Sequence, residues 1–206
     1  GIIMRDYAKE FENRVAFIRD LLKSSGTQGI IYGNSGGKDS ALVGILCKAA
    51  CDNTVGIMMP CASKRNFGED MTDGLAVAEA YFANVTKVAE KKPTILGHFD
   101  LIKKINGGNK FFDENDPRYT AAANSALMAA ARNRCVLEVN TSAVYRGFRK
   151  DFFPSDAILK EWLVLSGNVV ITADAHDTKA LTFGFEAVAA KLKELGYTKV
   201  QVLGKD

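Results

Sequence analysis

A glycine-rich turn at residues 33–40 constrains the fold of this 206-residue chain more than any other feature. The turn reads Gly-Asn-Ser-Gly-Gly-Lys-Asp-Ser, follows an apolar segment at residues 29–32, and precedes a segment of helical periodicity that begins at Asp39. Glycines let the backbone approach an oxyanion closely, and the N-terminus of the following helix carries about half a positive charge. The sequence therefore predicts a strand, an anion-binding turn and a helix in succession, as at the start of an α/β fold.

The spacing within this turn identifies the kind of anion site. It differs from the Walker pattern and from the dinucleotide fingerprint. It matches Ser-Gly-Gly-x-Asp-Ser at residues 35–40, and its flanks read Ile-Ile-Tyr-Gly-Asn and Ala-Leu-Val-Gly. This stretch resembles the pyrophosphate loop of the N-type ATP pyrophosphatases, and in particular ammonia-dependent NAD synthetase. The resemblance implies a site for the phosphates of ATP made of Gly33, Ser35, Gly36, Gly37, Asp39 and Ser40, with Asp39 also helping to hold magnesium.

The later part of the chain resembles a different family. From about Glu79 onward, the segments Leu-Gly-His-Phe-Asp-Leu-Ile-Lys at 96–103, Leu-Glu-Val-Asn-Thr-Ser at 137–142 and Thr-Ala-Asp-Ala-His at 172–176 resemble the C-terminal half of histidinol-phosphatases of the PHP superfamily. That resemblance implies that His98, Asp174 and His176 match three ligands of a metal cluster and that Arg146 matches a phosphate-contacting arginine. The other ligands have no counterpart, because residues 1–92 contain no histidine. We therefore expect His98, Asp174 and His176 to be remnants of a metal site, and we expect no catalytic residue.

The two resemblances meet near residue 77, inside a helix predicted over residues 66–91. A junction within a helix keeps its register and avoids a new loop. We interpret the chain as an engineered chimera, with residues 1–77 similar to NAD synthetase and residues 78–206 similar to histidinol-phosphatase. The interpretation implies a scaffold without efficient turnover, which requires no cofactor and retains at most weak binding of phosphate, of ATP with magnesium, or of a trace divalent metal. The alternative is an enzyme, either a residual ATP pyrophosphatase or a metal-dependent phosphoesterase.

Apolar segments that alternate with helical segments predict a parallel sheet with helices on both faces. We expect one α/β domain over residues 1–206, with five to six strands in an open, doubly wound, flavodoxin-like sheet of order 2-1-3-4-5-6. Six strands closed into a barrel would leave little room for large inward-pointing side chains. A partial or closed βα barrel is the alternative. In the open sheet, the glycine turn would lie beside the strand end that carries His98.

The composition of the chain limits the kinds of partner that it is expected to bind. The chain has 27 basic and 24 acidic residues mixed along its length, which argues against a nucleic-acid-binding surface. It contains no apolar run long enough for a membrane span, and its first residues lack the layout of a signal peptide. We therefore expect a cytoplasmic protein whose partner is at most a small anion or a nucleotide.

Overall fold

The computed structural model describes residues 5–59 and 73–204. The chain divides into two compact units, one made of residues 1–57 and 202–206 and the other of residues 58–201. Each unit is described by itself, and the single domain expected from the sequence stays a prediction.

The first unit alternates helix and strand. Its elements are α1 (Tyr7–Ser25), β1 (Ile30–Asn34), α2 (Lys38–Ala50) and most of β2 (Thr54–Met58). The carboxylate of Asp6 accepts a hydrogen bond from the N–H of Lys9 and caps the start of α1. The helix ends at Gly26, whose φ of +66° lies in the left-handed region that glycine adopts at little cost. Local sequence signals therefore set both ends of α1.

The core of the first unit is small. Its described buried apolar residues are Val15, Leu46, Cys47 and Ile57. The apolar spacing of residues 3–25 predicts that Tyr7 packs against the sheet, and that of residues 39–51 predicts that Leu42 and Ile45 are buried. Both predictions are wrong, since the exposed fractions of these three residues are 73%, 53% and 59%. Helical spacing decides which residues share a face, whereas a second element must cover that face before it is buried.

The second unit contains most of the hydrophobic core. Its sheet is formed by β3 (Ile95–Leu96), β4 (Val136–Asn140) and β5 (Val169–Thr172), paired in parallel with Ile95 opposite Val136 and Leu137 opposite Val169. Phe82, Leu96, Leu137 and Trp162 are almost fully buried in this core. The helices are α3 (Gly74–Glu90), α4 (Pro117–Arg132), α5 (Ser142–Tyr145), α6 (Asp156–Val164) and α7 (Phe185–Leu195), with 3-10 turns at Leu101–Ile105, Gly107–Asn109 and Thr178–Ala180.

The parallel α/β class is confirmed, but the predicted strand order 2-1-3-4-5-6 is wrong. The strands lie in the order β1-β2-β3-β4-β5. Within the second unit, the carbonyl of Met58, the last residue of β2, accepts a hydrogen bond from the N–H of Gly97 after β3. A doubly wound sheet needs one crossover to reverse direction, and apolar patterning does not record the direction of a crossover. A partial barrel, which was the alternative prediction, requires a strand order without such a reversal.

Two further predictions about elements need correction. The apolar residues within 199–203 predict a sixth strand, but these residues form none, although the N–H of Gln201 donates to the carbonyl of Val169. The helix predicted over residues 66–91 begins only at Gly74, because the backbone of Asp73 is not helical and its carboxylate caps α3 by accepting from the N–H of Ala76. The predicted start at Asn66 lies outside the described residues. The helix is continuous through residue 77 to Glu90, as predicted.

None of the helices within the described ranges combines the length and the apolar character needed to cross a membrane.

Candidate functional site

The glycine-rich turn lies in the first unit between β1 and α2, and it is exposed. Gly33 belongs to β1, and Gly36 follows with a left-handed φ of +82°. The N–H of Gly36 donates to Oδ1 of Asn34 at 3.1 Å, which closes the turn. Gly37 then has extended backbone angles and is the N-cap of α2. The local sequence thus directs the chain from the end of a strand into the N-terminus of a helix.

The beginning of α2 is open to an anion. The N-cap Gly37 makes no side-chain capping bond, and the first N–H groups of a helix have no partner within the helix. The hydroxyl of Ser40 donates to the carbonyl of Gly37 at 3.0 Å and lies 3.2 Å from the hydroxyl oxygen of Ser35. A Cβ placed on Gly36 would contact nothing within 4 Å, so the space beside the turn is free. Backbone N–H groups, two hydroxyls and the positive end of α2 therefore face solvent together.

Asp39, the remaining residue predicted at this turn, lies in the first turn of α2 and is exposed. A carboxylate at this position stabilises the helix through the macrodipole. Its side chain is accessible from solvent.

Two further predicted residues, His98 and Asp174, lie at the carboxyl ends of strands in the second unit. His98 follows β3, Asn140 ends β4 and Asp174 follows β5. The carboxyl ends of parallel strands meet at one edge of a sheet, so these side chains come together. His98 and Asp174 have left-handed φ values of +53° and +46°, and neither follows a helix. Non-glycine residues rarely adopt such angles outside helix ends, which marks this edge as a strained backbone region of the kind found at functional sites.

Glu138 connects the three strand ends although its side chain is buried. The N–H of His98 donates to its Oε2 at 2.9 Å. Its Oε1 accepts from the hydroxyl of Thr172 at 2.6 Å and from the amide of Asn140 at 3.3 Å. The hydroxyl of Tyr81 donates to the carbonyl of His98. The backbone of His98 is therefore held from both sides.

The side chains of His98 and Asp174 form an ion pair, with Nε2 and Oδ2 3.6 Å apart. This Nε2 is buried and has no hydrogen-bond partner. Burial lowers the pKa of His98, but the carboxylates of Asp174 and Glu138 outweigh it and leave the pKa raised. Burial raises the pKa of Asp174, but His98, with His176 and Arg146, outweighs it and leaves the pKa lowered. Each group thus favours the charged form of the other.

These two residues border a cavity of about 70 Å³ that Arg146 also lines. Lys104 lies at the same cavity, with its Nζ 4.7 Å from the ring centroid of Phe148. His176 is exposed, and its Nδ1 lies 2.8 Å from the carbonyl oxygen of Asp174. The structure therefore brings His98, Asp174 and Arg146 to one cavity and leaves the ring of His176 at the surface beside it.

The donors present do not fit the metal cluster that the resemblance implied. Within the described part of the chain, no three or more His, Cys, Asp or Glu side chains are grouped so that they could hold a metal ion. Two further groups at this cavity, Lys104 and Arg146, carry positive charge, which disfavours a divalent cation. Catalytic metal sites need several imidazole and carboxylate ligands and an open water position.

Sequence reasoning missed four polar residues at or behind this cavity, namely Lys104, Glu138, Asn140 and Ser142. It also missed a buried ionic network nearby. The Nζ of Lys103 lies 3.7 Å from a carboxylate oxygen of Asp100 and 3.6 Å from one of Glu114, and Arg149 approaches Glu114 at 3.3 Å. The sequence did contain one signal for such a site, because Glu138 is a charged residue within the otherwise apolar strand β4. A charged side chain in that position is buried only when polar partners surround it.

Comparisons with known proteins agree with the first resemblance. The family described as NAD synthase matches residues 10–148, a range that extends beyond the predicted junction near residue 77. The NH(3)-dependent NAD(+) synthetase of Alkaliphilus metalliredigens is 33% identical over 121 residues, which cover 57% of this chain and 46% of the relative. The NH(3)-dependent NAD(+) synthetase of Finegoldia magna is 34% identical over 98 residues, which cover 46% of this chain and 39% of the relative. The matched region thus spans less than half the length of these relatives.

One solved structure gives a fold comparison. A protein described as a histidinol phosphatase from Listeria monocytogenes superposes with a TM-score of 0.51 and 14% sequence identity, over 84% of this chain and 63% of that chain. This likeness concerns the fold alone.

Proposed function

Because this chain belongs to the NAD synthase family, we propose that its glycine-rich turn, residues 33–40, binds the phosphate groups of ATP in an ATP pyrophosphatase-like protein. Family membership favours this alternative over the interpretation as an engineered scaffold without turnover. The observation that carries the proposal is the open N-terminus of α2 behind a turn with the family's glycine spacing.

The geometry supports phosphate as the ligand. The left-handed Gly36 and the uncapped Gly37 leave the first N–H groups of α2 accessible, and the hydroxyls of Ser35 and Ser40 lie beside them. Hydrogen bonds from such donors to an ionised phosphate are stronger than those between neutral groups. Asp39 is placed to contact a magnesium ion that accompanies the nucleotide. Bound ATP would supply the activated phosphate chain, while these residues hold and orient it.

Binding is expected to be weak, because the turn is exposed and a nucleotide would gain only local contacts there. A dissociation constant of roughly 1 mM corresponds to about 4 kcal/mol of binding free energy. The test is a titration of magnesium ATP followed by backbone amide shifts, in which residues 35–40 should move first.

A substitution at Gly37 separates phosphate binding from folding. In Gly37→Asp the new carboxylate is a favourable N-cap for α2 but repels an anion at the same N–H groups. The added Cβ lies 3.5 Å from the Ser35 hydroxyl oxygen, an ordinary contact. We expect Gly37→Asp to bind magnesium ATP at least about tenfold more weakly. Gly37→Ala, the matched control without the charge, should bind as the unmodified chain does. Equal binding by all three proteins, or shifts confined to other residues, would contradict the proposal.

Turnover is measured separately as release of pyrophosphate from ATP, with a nicotinate dinucleotide and ammonia present. Release that Gly37→Asp abolishes and Gly37→Ala retains supports an ATP pyrophosphatase. Binding without release restricts the function to nucleotide binding.

A further inference from the structure

We propose that the cavity at the carboxyl ends of β3, β4 and β5 binds a small tetrahedral oxyanion, with inorganic phosphate as its simplest form, and does so without a metal ion. The proposal concerns the second unit and does not depend on the glycine-rich turn. It starts from a disagreement: the resemblance to histidinol-phosphatase implies a metal cluster at His98, Asp174 and His176, whereas the donors present do not fit one.

The charges at the cavity favour an anion. Lys104 and Arg146 line it, and both are cationic side chains of exposed residues. Asp174 is the acidic side chain that lines it, and its Oδ2 is paired with His98 at 3.6 Å. Glu138, behind the cavity, directs both oxygens to the N–H of His98, to Thr172 and to Asn140. Among the described residues that line the cavity, two exposed cationic side chains thus face one carboxylate, which is also paired with His98.

Hydrogen-bond donors complete the site. The Nε2 of His98 is buried, has no hydrogen-bond partner, and belongs to a residue that lines the cavity. A buried polar atom without a partner costs free energy, and an anion oxygen would supply the missing acceptor. Ser142 and Asn140 line the same space and offer a hydroxyl and an amide. Donors of three kinds thus surround the cavity below the two cationic side chains.

The size of the cavity restricts the ligand. Its 70 Å³ is roughly five times the ~10–15 Å³ that one water molecule needs. A tetrahedral oxyanion has five heavy atoms, so a cavity of this size is suited to phosphate or sulfate. Phe153 and Ala143 form apolar parts of the wall.

The experiment titrates inorganic phosphate into the full chain at low ionic strength with a chelator present, and follows backbone amide shifts. Amides next to His98, Ser142 and Arg146 should move with a chelator-independent dissociation constant in the millimolar range. Shifts only at residues 35–40, or binding that requires added zinc or manganese, overturn the proposal.

Two variants and a matched control sharpen the test. Lys104→Gln and Arg146→Gln should each weaken phosphate binding about fivefold, as expected for exposed charges. Lys110→Gln is the matched control, because Lys110 also lies over a phenylalanine ring, with its Nζ 5.0 Å from the centroid of Phe111, but does not line the cavity. An equal effect of Lys104→Gln and Lys110→Gln overturns the proposal.

Asp174→Asn distinguishes an anion site from a metal site by the sign of its effect. Asparagine tolerates the left-handed backbone at this position, so the fold should be retained. Removing the carboxylate takes away the repulsion of an anion, but it also removes a partner that favours the charged form of His98. The comparison is therefore made at about pH 5, below the ordinary pKa of histidine, where phosphate should bind about fivefold more tightly. A metal-bound phosphate would instead be lost together with a ligand. Unchanged or weaker binding in this variant, in a protein whose amide spectrum shows it folded, refutes the metal-free site.

Discussion

At the scale of single residues, the second unit depends on a buried charge that the sequence does not mark as special. Lys103 is 7% exposed and lies between the carboxylates of Asp100 and Glu114. Burial raises the pKa of Asp100, and Lys103 opposes that rise. A buried carboxylate that loses its cation is strongly destabilising, whereas a matched pair contributes little net stability.

We predict that Lys103→Met lowers the free energy of unfolding by about 3 kcal/mol near neutral pH. Without the ammonium group the folded-state pKa of Asp100 rises further above its unfolded value, so the folded state binds the proton more tightly. The stability of the variant then falls as the pH rises through that window, and its deficit should be larger at about pH 8 than at about pH 5. Urea unfolding followed by the fluorescence of Trp162, which lies in the same unit, measures it.

Lys110→Met is the control for this prediction, because Lys110 is exposed and lies over Phe111. It should change the free energy of unfolding by less than about 0.5 kcal/mol at either pH. A pH-independent deficit in Lys103→Met would show that lost packing, and not the charge of Asp100, causes the effect.

Gly167 illustrates a close approach between backbone and an aromatic ring. A Cβ at this position would lie 2.0 Å from Cε2 of Trp162, which is 1% exposed and donates its indole N–H to the carbonyl of Asn168. Gly167→Ala should therefore lower the free energy of unfolding by about 3 kcal/mol or more, as expected when a core is overpacked. Gly107→Ala is the control, because nothing lies within 4 Å of a Cβ at that position, and it should change the free energy of unfolding little. Thermal melts followed by circular dichroism compare the two variants. Similar melting temperatures for both variants would contradict this packing.

At the scale of elements, the beginning of α3 is set by a capping residue and not by apolar spacing. A capping signal at Asn66, followed by apolar residues at helical spacing, predicted a helix from residue 66, yet Asp73 has non-helical backbone angles and its carboxylate caps the helix that starts at Gly74. An N-cap satisfies N–H groups that the helix itself leaves unpaired, so it can define a start wherever the geometry permits.

We predict that Asp73→Ala lowers the stability of the second unit by about 1 kcal/mol, the usual cost of a lost N-cap. Asp73→Asn should retain most of that stability, because asparagine caps equally well while the contact of Asp73 with Arg118 at 3.9 Å is exposed. Trp162 fluorescence during urea unfolding distinguishes the two variants. An equal loss in both would assign the effect to the ion pair and contradict the capping role.

At the scale of the whole molecule, the two units differ in how much apolar surface they bury. The described part of the first unit buries few apolar side chains, whereas the second contains a continuous core that includes Phe82, Leu127 and Trp162. Local opening is easiest where buried apolar contacts are few.

We therefore predict that the backbone amides of α1 and α2 exchange with solvent at least about 100-fold faster than those of α3 and α4, which is about 2.7 kcal/mol in opening free energy. Leu46 in α2 and Leu127 in α4 are a matched pair, since both are buried in the interior of a helix. Hydrogen exchange read by NMR tests this. Equal protection of the two amides would contradict the difference in packing.

The local features of this chain were determined by its sequence. The glycine spacing placed the turn between β1 and α2, Gly26 ended α1, and apolar runs marked the five strands. These features depend on backbone geometry and on neighbours a few residues away, so a short stretch of sequence is enough to specify them. The phosphate-binding role of the turn stays a prediction that its local geometry supports.

Only the tertiary structure decided which distant residues meet. The strand order, the exposure of Leu42 and Ile45, and the position of Lys104 at the cavity of His98 and Asp174 were not predicted correctly or were not predicted at all. Apolar periodicity states that a strand or a helix face exists, but the direction of each crossover and the element that covers each face depend on the packing of segments far apart in the chain. The charge at the cavity is likewise the sum of the charges on residues that follow different strands. This sum, and not any one motif, favours an anion over a metal ion.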